Sequence, residues 1–149
     1  MDLDDNADRP IQQIQWLSHR LRQMETKLTR LLVSEPIKFD ERCRSSLPEE
    51  HGVYRIFDPL SPDQTVRAGR TKTAVGGLRQ RVYQNHLMGD QAGNLRSQLV
   101  DGRRCGNLEE AKGNIRDRLV VQICVIKDKR ERAWFEHFML GAFRPDHCD

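Results

Sequence analysis

The run RLVVQICVI at 118–126 constrains the fold more than any other stretch. It is nearly continuous in apolar, largely β-branched residues, which is how a strand reads when it is buried in the middle of a sheet. Two shorter strands precede it, GVYRIF and QTVRAG, joined by DPLSPD, whose prolines and aspartates favour a turn and interrupt pairing. Together they predict a hairpin. Between the hairpin and the long strand, AVGGLRQRVYQNHL sets Val75, Leu78 and Val82 at helical spacing, NLRSQLV predicts a second short helix, and Gly102 to Gly106 breaks it. A last helix, RERAWFEHFMLGAF, is expected to bury Phe135, Phe138, Met139 and Ala142 on one face. The order β-β-α-α-β-α implies a small α+β sandwich, a three-stranded, mainly antiparallel sheet flanked by helices.

Ahead of this domain lies a different pattern. After the acidic start MDLDDNADRP, apolar residues fall at Ile14, Leu17, Leu21, Met24, Leu28 and Leu31, the alternating three-and-four spacing of a heptad seam. The spacing predicts a helix over 10–33, with Asp8 as N-cap, Pro10 in the first turn and SEP at 34–36 ending it. The stripe either folds back on the core or pairs with a second copy, so a homodimer through residues 10–33 is one expectation. Residues 36–50, charged and without period, read as a connector. The expected organisation is residues 1–35 as the N-terminal helix, 36–50 as connector and 51–149 as the globular domain.

Composition excludes several classes. No apolar run approaches the roughly 18–20 residues of a membrane span and no leader opens the chain, so the expected place is the cytoplasm and no membrane partner is implied. The four cysteines, Cys43, Cys105, Cys124 and Cys148, form no CxxC pair. Neither zinc nor a disulfide framework is signalled, Cys148 with His147 being the one close pair of ligand types. The net charge of +3 is modest, but between Gln64 and Arg104 eight basic residues (Arg67, Arg70, Lys72, Arg79, Arg81, Arg96, Arg103, Arg104) face only Asp90 and Asp101. Cations clustered among Gly, Thr, Asn and Gln suit a polyanion, because they neutralise phosphates and release condensed counterions. Nucleic acid is the leading partner, and a solvated basic surface is the plain alternative.

GVY at 52–54, then the hairpin, VRAGRTK at 66–72, LRQRVYQNH at 78–86 and RAWFEHFMLGAFRP at 132–145 follow one another on the expected elements. In this order they resemble the GIY-YIG nuclease superfamily over residues 51–145. The resemblance implies a metal-assisted phosphodiesterase. Tyr54 would be the phenol that acts as, or orients, the base for the attacking water. Where the second motif has Tyr-aliphatic-Gly, this chain has Arg67, Ala68 and Gly69, so the second tyrosine is missing. Gly69 would let a phosphate backbone approach, and Arg70 falls where the family has Lys or Arg. Neighbouring cations favour a phenolate, so Arg67 and Arg70 would serve Tyr54 as well as phosphate. The plain alternative for Arg67 is a surface strand residue.

Arg81 would hold a non-bridging phosphate oxygen with its planar fork. Arg79 is its rival, although it lies nearer the apolar face, where its stem can pack. His86 and Asn85 would position substrate or shuttle a proton, or merely cap the helix. Glu136 would bind Mg²⁺ or Mn²⁺ as a lone carboxylate, with an Arg132–Glu136 helical ion pair as the alternative. The family's asparagine after RP is absent, leaving Asp146, His147 or Asp149 in its place. Arg67, Gly69, Lys72, Arg79, Asn85, Arg96, Arg103 and Arg104 are the expected nucleic-acid contacts. The implied activity is a DNA endonuclease leaving 5′-phosphate and 3′-hydroxyl ends, duplex DNA being favoured over RNA by the resemblance alone. The competing reading is a nucleic-acid-binding or scaffold protein on a degenerate nuclease fold.

Overall fold

The computed structural model describes residues 8–72, 75–89 and 93–147. The acidic start before Asp8, the Asp8 side chain expected as N-cap, Asp90, Cys148 and Asp149 lie outside the described residues. The rest is an α+β chain. Helix α1 (Asp8–Val33) is followed by a two-residue strand β1 (Ile37–Lys38) and a single turn α2 (Cys43–Ser46). The hairpin β2 (Gly52–Phe57) and β3 (Thr65–Arg70) leads into a π-type helix (Arg79–Met88), then α3 (Leu95–Asp101), α4 (Leu108–Arg118), β4 (Val120–Val125) and α5 (Lys129–Phe143).

The long apolar run is indeed central: β4 pairs antiparallel with β2 on one side and with β1 on the other, in the order β1-β4-β2-β3. The sheet therefore has four strands where three were expected. A two-residue strand carries no periodic signal, and Ile37 and Lys38 are recruited only because Val121 and Val120 stand opposite them. The connector is likewise part of the core: Phe39, Cys43 and Leu47, each four residues apart, are buried against the same face as Tyr54 and Ile56. That spacing is the period missed in 36–50. Helix α4 was also missed, because only Ala111 and Ile115 of its residues are buried, although Asn107 caps it by accepting from the Glu110 N–H at 2.8 Å.

Because side chains alternate along a strand, the sheet sorts its residues between two cores. One face carries Tyr54, Ile56 and Val121 beneath the π helix, α3 and α4, with Leu78, Val82, Leu95 and Ile115 among them. The other carries Val53, Ala68 and Cys124 beneath Leu31 of α1 and Phe135 and Met139 of α5. Each large apolar side chain buried there contributes roughly 1.5–3 kcal/mol. On α5 the buried residues are Arg132, Phe135, Glu136 and Met139, whereas Ala142 is exposed. The face is rotated toward two charged residues, Arg132 and Glu136, both buried.

Helix α1 divides its heptad stripe. Leu31, with Met24 and Leu28, packs on the second core, while Ile14 (64% exposed), Leu17 and Leu21 run beyond it into solvent. Gln122 of β4 ties the helix end to the sheet by donating to the carbonyls of Leu32 and Ser34 at 2.9 and 3.1 Å. At the other edge, Asp146 and His147 donate backbone N–H groups to Thr65 and Val66 of β3. No helix among the described residues is long and apolar enough to cross a membrane.

Candidate active site

Residues far apart in sequence meet on the first face of the sheet. Tyr54, in the middle of β2, is fully buried and lies opposite Gly69 of β3. Its Oη is 2.6 Å from Nε2 of His86, which is also fully buried. The Leu95 N–H donates to the other ring nitrogen, Nδ1, at 3.1 Å. Burial first, then the charges of Arg67 and Arg81, hold the His86 imidazole well below its ordinary 6.5, so the ring is neutral at neutral pH. With Nδ1 accepting, the single ring proton sits on Nε2, and Nε2–H donates to the phenol oxygen.

The π helix brings His86 and Arg81 to one side. Five residues separate them, which on an α-helix would turn them ~140° apart. An i→i+5 helix instead stacks residues five apart on nearly one side, and Gln80 Nε2 reaches Asn85 Oδ1 at 3.3 Å across the same interval. Such widened turns concentrate at functional sites.

Gly69 is needed for a reason the motif did not reveal. A Cβ at this position would lie 2.7 Å from Tyr54 Oη, so the missing side chain makes room for the phenol itself. Arg67 is fully buried on the same face as Tyr54, which sets aside the alternative of a surface strand residue, and it donates from Nη1 to the Gly93 carbonyl at 2.7 Å and to Gln98 Oε1. It ties β3 to the start of α3, the element whose Leu95 N–H fixes His86. Where the resemblance would place a second tyrosine, the chain has an interior cation.

Arg70 and Glu136 meet on the opposite face, where β3 passes α5. Arg70 Nε donates to Glu136 Oε2 at 2.5 Å, and both side chains are largely buried. The Arg132–Glu136 pair expected along the helix does not form. Arg132, one turn earlier on α5 and buried, gives its guanidinium to the carbonyls of Thr71, Lys72, Ile126 and Lys127 at 2.8–3.1 Å. Burial and then the charge of Arg70 lower its proton affinity, which places the two guanidinia near each other. This anchoring role left no signal in the sequence, because the acceptors are backbone groups of distant segments.

The remaining cations divide between structure and surface. Arg79 donates to the Leu47 carbonyl at 3.0 Å and to Glu49 at 2.8 Å, clamping the connector. Arg96 is buried and reaches the Leu87 and Met88 carbonyls, with Glu109 3.9 Å away. Arg104 is exposed and lies 3.4 Å from Asp146. Lys72 and Arg103 are exposed, and Arg81 and Asn85 are half-buried. Much of the basic segment that favoured a polyanion is therefore spent inside the protein.

Among the described residues no three His, Cys, Asp or Glu side chains gather as a metal site. The donor at Glu136 is a single carboxylate, which fits a hydrated hard cation such as Mg²⁺ that takes its other ligands from water and phosphate. The described cysteines, Cys43, Cys105 and Cys124, are all buried, and burial with Asp40 pushes the Cys43 thiol up to about 12, so none offers a thiolate. No protein-family model, no curated protein and no solved structure matches the chain.

Proposed function

We propose that the protein is a nucleic-acid phosphodiesterase of GIY-YIG type that hydrolyses duplex DNA. The observation that supports this reading best is the convergence of Tyr54, Gly69 and His86, three motif residues from separate elements, on one 2.6 Å hydrogen bond. In this reading Tyr54, ionised to the phenolate, takes the proton of the attacking water as the water oxygen forms the new bond to phosphorus. The bond from phosphorus to the 3′-oxygen breaks in the same displacement, and the departing alkoxide takes a proton from solvent water, leaving 5′-phosphate and 3′-hydroxyl ends. His86 is a positioning residue: its Nε2 already carries a proton and donates to the phenol, so it stabilises negative charge on that oxygen without taking the proton. Arg81, on the same side of the π helix, holds a non-bridging oxygen. Glu136 lies with Arg70 on the opposite face, but Arg70 directly follows Gly69 on the edge strand β3, so a divalent cation held by Glu136 would neutralise charge on a phosphate lying across the end of that strand. The exposed half of the α1 stripe pairs two copies, so that two sites nick opposite strands.

A second reading, a binding or scaffold protein on a degenerate nuclease fold, is favoured by one specific observation. Tyr54 is wholly buried, so the phenol meets a water only after the site opens on substrate. Supercoiled plasmid with Mg²⁺ or Mn²⁺ separates the two. The nuclease reading expects nicked and linear product, lost at least ~10²-fold in Glu136→Ala and nearly lost in Tyr54→Phe with an unchanged melting curve. Normal cutting by Glu136→Ala removes the assigned site, and binding without cutting by the wild type favours the scaffold.

A further inference from the structure

The contact at Glu136 carries an inference that rests on the phosphodiesterase reading but concerns the order in which its parts assemble. The carboxylate is buried, its Oε2 receives Arg70 Nε at 2.5 Å, and Arg132 stands one turn before it on the same helix. Arg70 neutralises the Glu136 carboxylate, and the Arg132 guanidinium beside it is offset in part by Asp128 at the start of α5. A divalent cation arriving there alone meets a carboxylate already neutralised and a second positive group nearby, and partly buried charges are weakly screened. A phosphate diester meets the opposite situation. Its negative oxygens suit Arg70, whose fork can take them two at a time in exchange for Glu136.

The backbone geometry lets that exchange happen locally. Arg132 pins the carbonyls of Thr71 and Lys72 directly after Arg70, so the end of β3 is fixed to α5 while the Arg70 side chain swings. Arg132 is itself committed to four carbonyls and cannot substitute for Arg70 at Glu136. We infer that Arg70 guards Glu136: in the resting protein its guanidinium occupies the cation's place, and a nucleic-acid phosphate must draw it away before Glu136 accepts a divalent ion. Nucleic acid therefore binds first and metal second. The consequence is that free protein in millimolar Mg²⁺ carries no reactive cation.

Selective broadening of backbone amide resonances by Mn²⁺ reads this directly and needs no turnover. The free wild type should show no selective broadening around Glu136 on α5. Arg70→Gln should show it at a Mn²⁺ concentration at least tenfold lower than any wild-type effect, and the double variant Arg70→Gln/Glu136→Gln should lose it. Arg70→Lys keeps the charge and should behave as the wild type, which separates guarding from misfolding. Adding a short duplex to Tyr54→Phe, which does not consume it, should bring the broadening back with Arg70 intact. Equal Mn²⁺ broadening at Glu136 in free wild type and Arg70→Gln overturns the guard. Broadening in free Arg70→Gln but none in the duplex-bound Tyr54→Phe protein keeps Arg70 as the competitor and sinks the phosphodiesterase reading instead.

Discussion

Gly69→Ala is the sharpest probe of the Tyr54 site, because its cost is steric alone. The Gly69 backbone is not in the left-handed region, which among the described glycines belongs to Gly76, Gly77 and Gly93, so alanine adopts it without strain. Its new Cβ would stand 2.7 Å from Tyr54 Oη and 3.0 Å from Cζ. That is ~0.8 Å inside an ordinary contact. The phenol has nowhere to retreat, since His86 behind it is fully buried and held by Leu95. Overpacking of this kind costs about 1–3 kcal/mol, and the stiffer unfolded chain returns about 0.4–1 kcal/mol. A net loss of about 1–2 kcal/mol lowers Tm by roughly 2–8 °C for a chain of this size. Tyr54→Phe removes the closest atom, so alanine should cost less in that background, with a coupling of at least ~1 kcal/mol. Thermal unfolding of the four proteins of the cycle measures it. Additivity within ~0.3–0.5 kcal/mol would refute the contact. Plasmid cleavage by Gly69→Ala should fall ~10²-fold, the usual effect of misplacing a reacting group.

Three further outcomes follow from the same geometry. The folded protein resists protonating His86 while the unfolded chain takes a proton near 6.5, so its contribution is intact above that pH and lost as pH falls below it. Urea midpoints should show a loss of about 1.4 kcal/mol per pH unit below 6.5 from this residue, and His86→Gln should remove that one-proton slope while leaving the like-signed part from His147. Arg132→Ala strands the buried carbonyls of Thr71 and Ile126 and the half-buried ones of Lys72 and Lys127 and should cost at least ~2 kcal/mol in urea unfolding, with Arg132→Lys recovering less than half because an ammonium cannot fork; an unaffected midpoint would refute the anchor. Ile14→Glu with Leu21→Glu alters only exposed positions and should convert a dimer to a folded monomer in sedimentation, whereas a monomeric wild type at micromolar concentration would assign the stripe to another partner.

The elements with strong periodicity were legible. The central strand, the hairpin, α1, α3 and α5 lie where the sequence puts them within a residue or two, because each repeats its apolar residues enough times to declare a face. Ile37 and Lys38 declare nothing, since a strand two residues long is defined by its neighbour. At the site, the pairing of Tyr54 with His86 depends on a helix wound one residue wider than usual, a choice set by packing on both sides. Arg67 fits the sequence either as a cation beside Tyr54 and phosphate or as a surface strand residue; its interior ties depend on acceptors at Gly93 and Gln98, about thirty residues away, which no local pattern brings beside it. Leu28 was grouped with Leu21 as one seam, yet only Leu28 touches the core.

The two edges of the sheet carry a consequence for handling the protein. Each is closed by a fragment, β1 on the β4 side and residues 146–147 on the β3 side. An uncovered edge is a row of backbone donors and acceptors ready to recruit a strand from another molecule. Shortening the chain before Asp146 would bare Thr65 and Val66, which sit beside a dense run of apolar strand residues. Such a truncation would turn a closed sheet edge into a template for intermolecular β-pairing, and its first symptom would be concentration-dependent precipitation with no loss of helical structure.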